Sequence, residues 1–186
     1  MGEEMTKKTK LPRFYRMNSL VKLFRDLGFK KGAEVGVADG QFSLALCEGI
    51  PELSLICVDS WQDYGSNPWA RNQKENDAAF DLAMKRMAPY GARFIRKFSM
   101  DAVQDVPLES LDFVYIDGNH SYRHVSQDIR EWSKRVRSGG VVSGHDYYEF
   151  RRAGVIKAVD EYTEANGIEN LFLSDEREVS WWWRKP

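Results

Sequence analysis

Four side chains that can bind metal ions or move protons follow two of the apolar runs of this chain. Asp117 and His120 come after the first run. His145 and Asp146 come after the second. If both runs are neighbouring strands of one parallel sheet, their carboxyl ends bring these side chains to one crevice. Imidazoles and carboxylates in a crevice can hold a divalent cation or accept the proton of a substrate hydroxyl. Capping of the helices that follow would account for each Asp, but not for two neighbouring pairs of His and Asp.

A second group of residues has the spacing of a nucleoside site. The segment 33–40 (AEVGVADG) is a short apolar strand that runs into a glycine-containing turn, and Asp59 follows the next apolar run. Glycine allows the backbone to approach a ligand, and an acidic residue at the end of a strand can accept hydrogen bonds from ribose. The dinucleotide fingerprint is absent, because the register starting at Gly36 has Ala38 and Gln41 at its other two positions. The pattern therefore indicates a nucleoside that is not a dinucleotide.

Strands and helices alternate along the chain, which predicts a mostly parallel sheet with helices on both faces. The last two apolar runs flank a short charged turn and predict a C-terminal antiparallel hairpin. The expected class is α/β with a seven-stranded sheet. The expected strands are 33–37, 54–58, 92–97, 111–116, 141–144, 170–173 and 179–183, and the expected helices are 19–27, 41–49, 71–87, 122–136 and 153–165.

Length and composition indicate one globular domain. The chain has 186 residues, of which 42% are hydrophobic and 13% aromatic, which suits a single folded core. We expect a flexible tail over 1–13 and the domain over 14–186. The net charge of −1 provides no field that attracts nucleic acid or an anionic membrane. Cys47 and Cys57 lack metal-ligand spacing and are expected to be buried thiols in a reducing compartment. These features predict a cytoplasmic protein that acts on a small molecule.

The motifs resemble those of the class I S-adenosylmethionine-dependent methyltransferases. Glu34-x-Gly-x-x-x-Gly together with Asp59 is similar to their cofactor motif. The segments 117–122 (DGNHSY) and 139–147 (GGVVSGHDY) resemble the branch that includes macrocin-type sugar O-methyltransferases, to which the catechol-type enzymes are similar. The resemblance covers nearly the whole chain from about residue 30. It implies a Rossmann-like class I methyltransferase fold, S-adenosylmethionine as cofactor and O-methylation of a small hydroxylated acceptor.

The same resemblance implies roles for individual residues. A divalent cation, usually magnesium, would be held by Asp117, His145 and Asp146, and His120 would be the general base. His145 stands where the relatives often have a carboxylate, and magnesium prefers oxygen ligands, so manganese, iron, zinc or no metal stay open. The expected cofactor-binding residues are Glu34, Gly36, Val37, Gly40, Asp59, Ser60, Trp61, Ser99, Met100 and Asp117. Among them, Ser60, Ser99 and Met100 are expected near the adenine from their positions after the strands.

Two other functions stay open at this point. A metal-dependent hydroxylase on the same fold would use Asp117, His145 and Asp146 as iron ligands. A non-catalytic cofactor-binding module is disfavoured because Asp117 and His120 are both present.

Several aromatic residues also need an interpretation. We expect Trp61, Tyr64 and Trp69 to lie over the cofactor and the acceptor. The run 181–183 consists of three tryptophans, and alternation along a strand predicts that at least one of them is in the core.

Overall fold

The protein is described by a computed structural model that covers residues 7–10, 18–63, 71–149, 154–175 and 179–186. The strands are β1 (Lys7–Lys10), β2 (Lys31–Val35), β3 (Ser54–Asp59), β4 (Arg93–Arg96), β5 (Leu111–Ile116), β6 (Val136–Gly144), β7 (Asn170–Leu173) and β8 (Trp181–Arg184). The helices are α1 (Asn18–Asp26), α2 (Gln41–Gly49), α3 (Gln73–Met87), α4 (Ser99–Ala102), α5 (Tyr122–Ser133) and α6 (Val155–Ala165).

One mixed sheet organises the molecule, with the strand order β1-β7-β8-β6-β5-β2-β3-β4. Strands β2 to β6 run parallel to one another, and β8 is antiparallel to both β6 and β7. The expected α/β class and the closing antiparallel strand pair are confirmed. The chain runs outward from β2 through β3 to β4 and then returns to the other side of β2 with β5. This reversal creates the crevice at the carboxyl ends of the strands where open α/β sheets bind ligands.

The first strand lies within the segment 1–13, for which the sequence predicts a flexible tail. Lys7–Lys10 forms an eighth strand, which pairs in parallel with β7 at the edge of the sheet. A sheet edge offers unpaired backbone N–H and C=O groups, and a polar segment can pair with them without burying any side chain. Lys8 is further tied to Asp160 of α6 by an ion pair of 2.8 Å. Backbone pairing of this kind leaves no hydrophobic pattern for a sequence prediction to detect.

The boundary between α5 and β6 also differs from the expectation of a helix to residue 136. The helix ends at Ser133 and the strand begins at Val136, so the Ser138-Gly139-Gly140 segment lies inside β6 and not before it. A Cβ on Gly140 would lie 2.5 Å from the carbonyl oxygen of Asp112. The two strands therefore approach more closely than any side chain at residue 140 would allow.

Apolar side chains form a core on each face of the sheet. One core includes α5 and α6, and the other includes α1, α2 and α3. Trp181 and Trp183 stack with ring centroids 5.2 Å apart in the first core, while Trp182 stacks on Phe172 at 4.1 Å in the second. All three tryptophans are buried, which confirms their structural interpretation.

Two further findings concern the cysteines and the helices. Both cysteines are free and buried, as expected. Among the described helices, none combines the length and apolar character needed to cross a membrane.

Candidate cofactor and catalytic site

The turn after β2 joins the ends of three strands. Gly36 has a φ of 95° and donates its N–H to the carbonyl oxygen of Val58 at 2.8 Å. Asp117 donates its N–H to the carbonyl oxygen of Val35 at 2.7 Å. A Cβ on Gly36 would lie 2.1 Å from the carbonyl oxygen of Asp117. Glycine is therefore required for the contact that fixes the position of Asp117, in addition to any approach of a ligand.

Helix α3 supports the same turn from the side. Gly40 precedes α2 with a φ of 78°, and a Cβ there would lie 3.2 Å from the backbone and side chain of Ala83 in α3. Arg86, one turn further along α3, donates to the carbonyl oxygen of Asp39 at 2.6 Å and forms an ion pair with its carboxylate at 3.0 Å. The turn is thus held by protein contacts on both sides.

Asp59, the expected ribose ligand, ties the end of β3 to this turn. One carboxylate oxygen accepts the N–H of Ala38 at 3.0 Å, and the other accepts the N–H of Trp61 at 2.9 Å. A carboxylate can accept about four hydrogen bonds, so both oxygens keep capacity for ribose hydroxyls. Asp59 is therefore both a structural residue of the turn and a candidate ligand of a nucleoside.

Trp61, which was expected to lie over the cofactor, is buried. Its ring is 1% exposed, donates from Nε1 to the carbonyl oxygen of Ala38 at 2.8 Å and packs against Phe80 with centroids 4.8 Å apart. The indole therefore occupies the core and does not lie over the crevice. Tyr64 and Trp69, expected beside it, lie outside the described residues.

Glu34 of β2 and Val37 of the turn after it are both buried. The carboxyl of Glu34 is hydrogen-bonded by the hydroxyl of Ser43 of α2. Burial raises the pKa of Glu34 well above its usual value despite this bond, and the nearby carboxylates Asp117, Asp59 and Asp39 raise it further. Burial therefore favours the neutral carboxylic acid form of Glu34.

The expected adenine-end residues lie at the ends of β3 and β4. Ser60 is buried, and its hydroxyl accepts the N–H of Gln62 at 3.3 Å. Ser99 begins α4 immediately after Phe98, and Met100 is half-buried against the core of the α5 face. The serine hydroxyls are thus engaged with the protein itself.

The histidine and aspartate residues of the two strand ends form one cluster. His120 Nε2 lies 2.9 Å from Asp146 Oδ2 and 3.4 Å from Asp117 Oδ1. One ligand atom from each of these three residues lies within 4.8 Å of the other two. His145 Nδ1 lies 3.2 Å from Asp146 Oδ1 and 4.0 Å from Asp117 Oδ1. The structure thus brings together all four side chains, and it places His120 among the possible metal ligands.

The backbone of β5 and β6 positions this cluster. His145 donates its N–H to the carbonyl oxygen of Ile116 at 3.1 Å, and its own carbonyl oxygen accepts the indole N–H of Trp181 at 3.0 Å. Asp146 follows with a φ of 60°, a left-handed conformation that non-glycine residues adopt mainly in special turns. The carbonyl oxygen of His120 accepts the N–H of Gly154 at 2.8 Å.

The charges of the cluster stabilise a protonated His120. Burial alone would lower the pKa of His120, but its hydrogen bonds to Asp117 and Asp146 outweigh burial and raise the pKa to about 10. Burial would likewise raise the pKa of Asp146, yet the bonds from His120 and His145 lower it. The two carboxylates therefore favour the imidazolium form of His120 at neutral pH. It can accept a proton from a substrate only after it has lost its own.

Two residues, Asp128 of α5 and Arg86 of α3, were not identified from the sequence. Asp128 is 4% exposed and lies on the same helical face as the buried residues Val125, Ile129 and Trp132. A charged residue on the apolar face of an amphipathic helix is the signal that could have revealed it. Arg86 had no comparable signal, since arginine in the last turn of a helix is ordinary.

Comparison with known proteins agrees with this geometry. A family model described as a methyltransferase domain matches residues 33–147, the region that contains the turn after β2, Asp59 and the whole cluster. The chain belongs to this family. The matched region excludes β1, α1 and the last two strands.

Individual relatives and solved structures have low sequence identity to this chain. The chain is 26% identical over 121 residues to the uncharacterized protein y4gI of Sinorhizobium fredii (strain NBRC 101917 / NGR234), and the match covers 62% of this chain and 12% of that protein. It is 25% identical over 122 residues to the uncharacterized protein R132 of Acanthamoeba polyphaga mimivirus, covering 63% of this chain and 52% of that protein. The methyltransferase domain thus spans about half or less of these curated relatives. The O-methyltransferase from Bacillus cereus, solved in complex with SAH, has the same fold, with a TM-score of 0.66 at 13% identity and coverage of 91% of this chain and 80% of that one.

Proposed function

We propose that this methyltransferase domain uses S-adenosylmethionine and transfers its methyl group to a hydroxyl oxygen of a small acceptor. The observation that carries the proposal is the placement of Asp59 beside the turn after β2, with the cluster of Asp117, His120 and Asp146 on adjacent strand ends. A nucleoside held at Asp59 would direct its reactive end toward that cluster.

The proposed chemistry requires alignment and removal of one proton. Methyl transfer is an in-line displacement at the sulfonium carbon, so the protein must orient the acceptor oxygen and accept its proton. His120 is the candidate base because its Nε2 faces the crevice between Asp117 and Asp146. Compensation of the two carboxylate charges would lower the pKa of His120 from about 10 and so favour the neutral imidazole that a base needs.

The donor set fits a divalent cation that accepts nitrogen as well as oxygen. Asp117 and Asp146 offer carboxylate oxygens and His120 offers an imidazole nitrogen within one group of possible ligands. The imidazole of His145 lies beside Asp146 but is not part of that group. Such a mixture suits manganese, iron or zinc better than magnesium. A bound cation would supply Lewis acidity that lowers the pKa of the acceptor hydroxyl.

His120 cannot be a metal ligand and the general base at the same time. If it is the base, His120→Ala should leave manganese affinity nearly unchanged and lower turnover, while His145→Ala should weaken manganese binding. If His120 is a ligand, His120→Ala should weaken manganese binding as well. Titration of the two variants with Mn²⁺, with the free ion measured by electron paramagnetic resonance, separates the two roles.

A second candidate function is an iron-dependent hydroxylase on the same fold. The observation in its favour is the presence of two imidazoles and two carboxylates in one cluster, since His and carboxylate ligands with open positions are typical of iron(II) oxygenases. Iron-dependent oxygen consumption without methyl transfer would support this candidate and contradict the proposal above.

A thermal-shift panel with S-adenosylmethionine, its demethylated product, NAD and ATP tests the cofactor. A ligand at one hundred times its dissociation constant stabilises the fold by about 2.7 kcal/mol. For a domain of this size the melting temperature should rise by about 7 °C. A shift with NAD alone would contradict the proposal. Asp59→Asn keeps a hydrogen-bond acceptor for the turn but removes the charge, and it should reduce the shift in melting temperature. Asp81→Asn, on the exposed side of α3, serves as the matched control.

A further inference from the structure

Asp128 is a buried carboxyl within α5 that the chemistry described above does not use. Its side chain is 4% exposed and packs on the helical face that points into the core. A buried carboxyl is costly unless polar groups surround it. The partner that the structure gives it is Ser99, whose hydroxyl donates to Asp128 Oδ1.

Ser99 is held by α5 through two bonds. Its hydroxyl donates to Asp128 and accepts the indole N–H of Trp132 at 2.8 Å. These two partners lie four residues apart on one face of α5. The Ser99 side chain therefore ties the short segment 98–100 after β4 to α5. Phe98, 42% exposed, stands at one end of this segment.

The position of the segment follows from the strand order β5-β2-β3-β4. A nucleoside whose ribose is held by Asp59 at the end of β3 must direct its sulfonium end toward the cluster at β5. Its base then points the other way, toward the end of β4, where the segment 98–100 lies. Asp128 also approaches the end of β5, because its Oδ2 lies 3.9 Å from the position of a Cβ on Gly118.

We propose that Asp128, acting through Ser99, positions the segment 98–100 for the adenine end of the cofactor. Asp128 is a positioning residue, because its contact with the segment passes through the serine hydroxyl. The inference rests on the proposed use of S-adenosylmethionine and adds a residue that determines cofactor affinity from beneath the site.

Calorimetric titration of S-adenosylmethionine and of adenosine tests this role. Asp128→Ala and Ser99→Ala should each raise both dissociation constants about tenfold, since each breaks the same buried hydrogen bond. The double variant should bind no more weakly than the weaker single variant, because the two residues act as one unit. Asp128→Asn should recover binding to within about threefold, since its amide oxygen can still accept the Ser99 hydroxyl. Ser133→Ala is the matched control, because Ser133 is also buried in α5 and its hydroxyl donates to the Ile129 carbonyl oxygen of the same helix.

Each other outcome contradicts the inference in a recognisable way. Unchanged dissociation constants with a lowered melting temperature would show that Asp128 only stabilises the fold. Loss of affinity for S-adenosylmethionine but not for adenosine would place the effect at Gly118 and the methyl-donating end. If the dissociation constant of the double variant rises by the product of the two single-variant increases, Asp128 does not act through Ser99. If Asp128→Ala fails to fold, Ser99→Ala and Asp128→Asn decide the question. Wild-type protein that binds neither ligand would overturn the proposed function as well, whereas wild-type binding with unaffected variants overturns only this inference.

Discussion

Replacement of Asp128 by Asn should make the stability of this domain less dependent on pH. Burial raises the pKa of Asp128 from 3.8 to about 6, although the hydrogen bond from Ser99 opposes the shift. The side chain is 4% exposed, so solvent screening does not remove the effect. Asparagine has nearly the same shape and does not ionise in this range.

The sign and size of the effect follow from proton linkage. Because the pKa of Asp128 is higher in the folded state than in the unfolded state, its contribution is fully present below about pH 4 and is lost as the pH rises through about 6. The shift of about two units corresponds to about 3 kcal/mol in total. About half of this loss falls between pH 5 and pH 8. The free energy of unfolding of Asp128→Asn, relative to that of wild type, should therefore rise by about 1.5 kcal/mol from pH 5 to pH 8.

Urea unfolding followed by tryptophan fluorescence at pH 5, 6, 7 and 8 measures the difference between the two proteins. Using a difference removes the contributions of all other titrating groups that the substitution does not disturb. A difference that stays constant across the four pH values would refute the reasoning and would show that Asp128 is already ionised at pH 5. A difference that changes in the opposite direction would mean that the folded state stabilises the charged carboxylate.

Three further predictions concern the site. Gly36→Ala should destabilise the fold by more than about 2 kcal/mol, because it combines a positive φ with a clash against the Asp117 backbone. The control Gly91→Ala, with a positive φ but no atom within 4 Å, should destabilise the fold by about 1 kcal/mol. Equal urea midpoints for the two variants would contradict this prediction. His120→Ala should keep S-adenosylmethionine binding near normal while turnover falls by about 10²- to 10⁴-fold, and an unchanged rate would exclude it as the base. Asp146→Asn should weaken Mn²⁺ binding at least about tenfold, since it removes a charged oxygen ligand; unaltered affinity by isothermal titration would argue against a cation at this cluster.

Much of the fold could be predicted from local sequence signals. Strands such as β3 and β5 are short apolar runs with polar residues or glycine at each end, and the alternation of strands with helices implies a mostly parallel sheet. The strand ends that carry Asp59, Asp117 and Asp146 could then be assigned to one edge, because every parallel strand presents its carboxyl end to the same side.

The tertiary structure alone decided several features that have no local pattern. Lys7–Lys10 became a strand because the edge of β7 offered backbone partners, and backbone pairing does not require hydrophobic side chains. Position 140 of β6 requires glycine because the neighbouring Asp112 carbonyl oxygen leaves no room for a Cβ. Each contact joins residues far apart in sequence.

The sequence by itself therefore determined which residue types stand at the ends of the strands, and with them the family and the chemistry available. Only the tertiary structure decided what those residues contact and how their pKa values shift. The Trp61 ring lies in the core. The carboxylates of Asp117 and Asp146 lie close to His120 and raise its pKa to about 10. The physical reason is that burial and charge depend on distances between atoms of different strands, whereas a motif records only the order of residues along one chain.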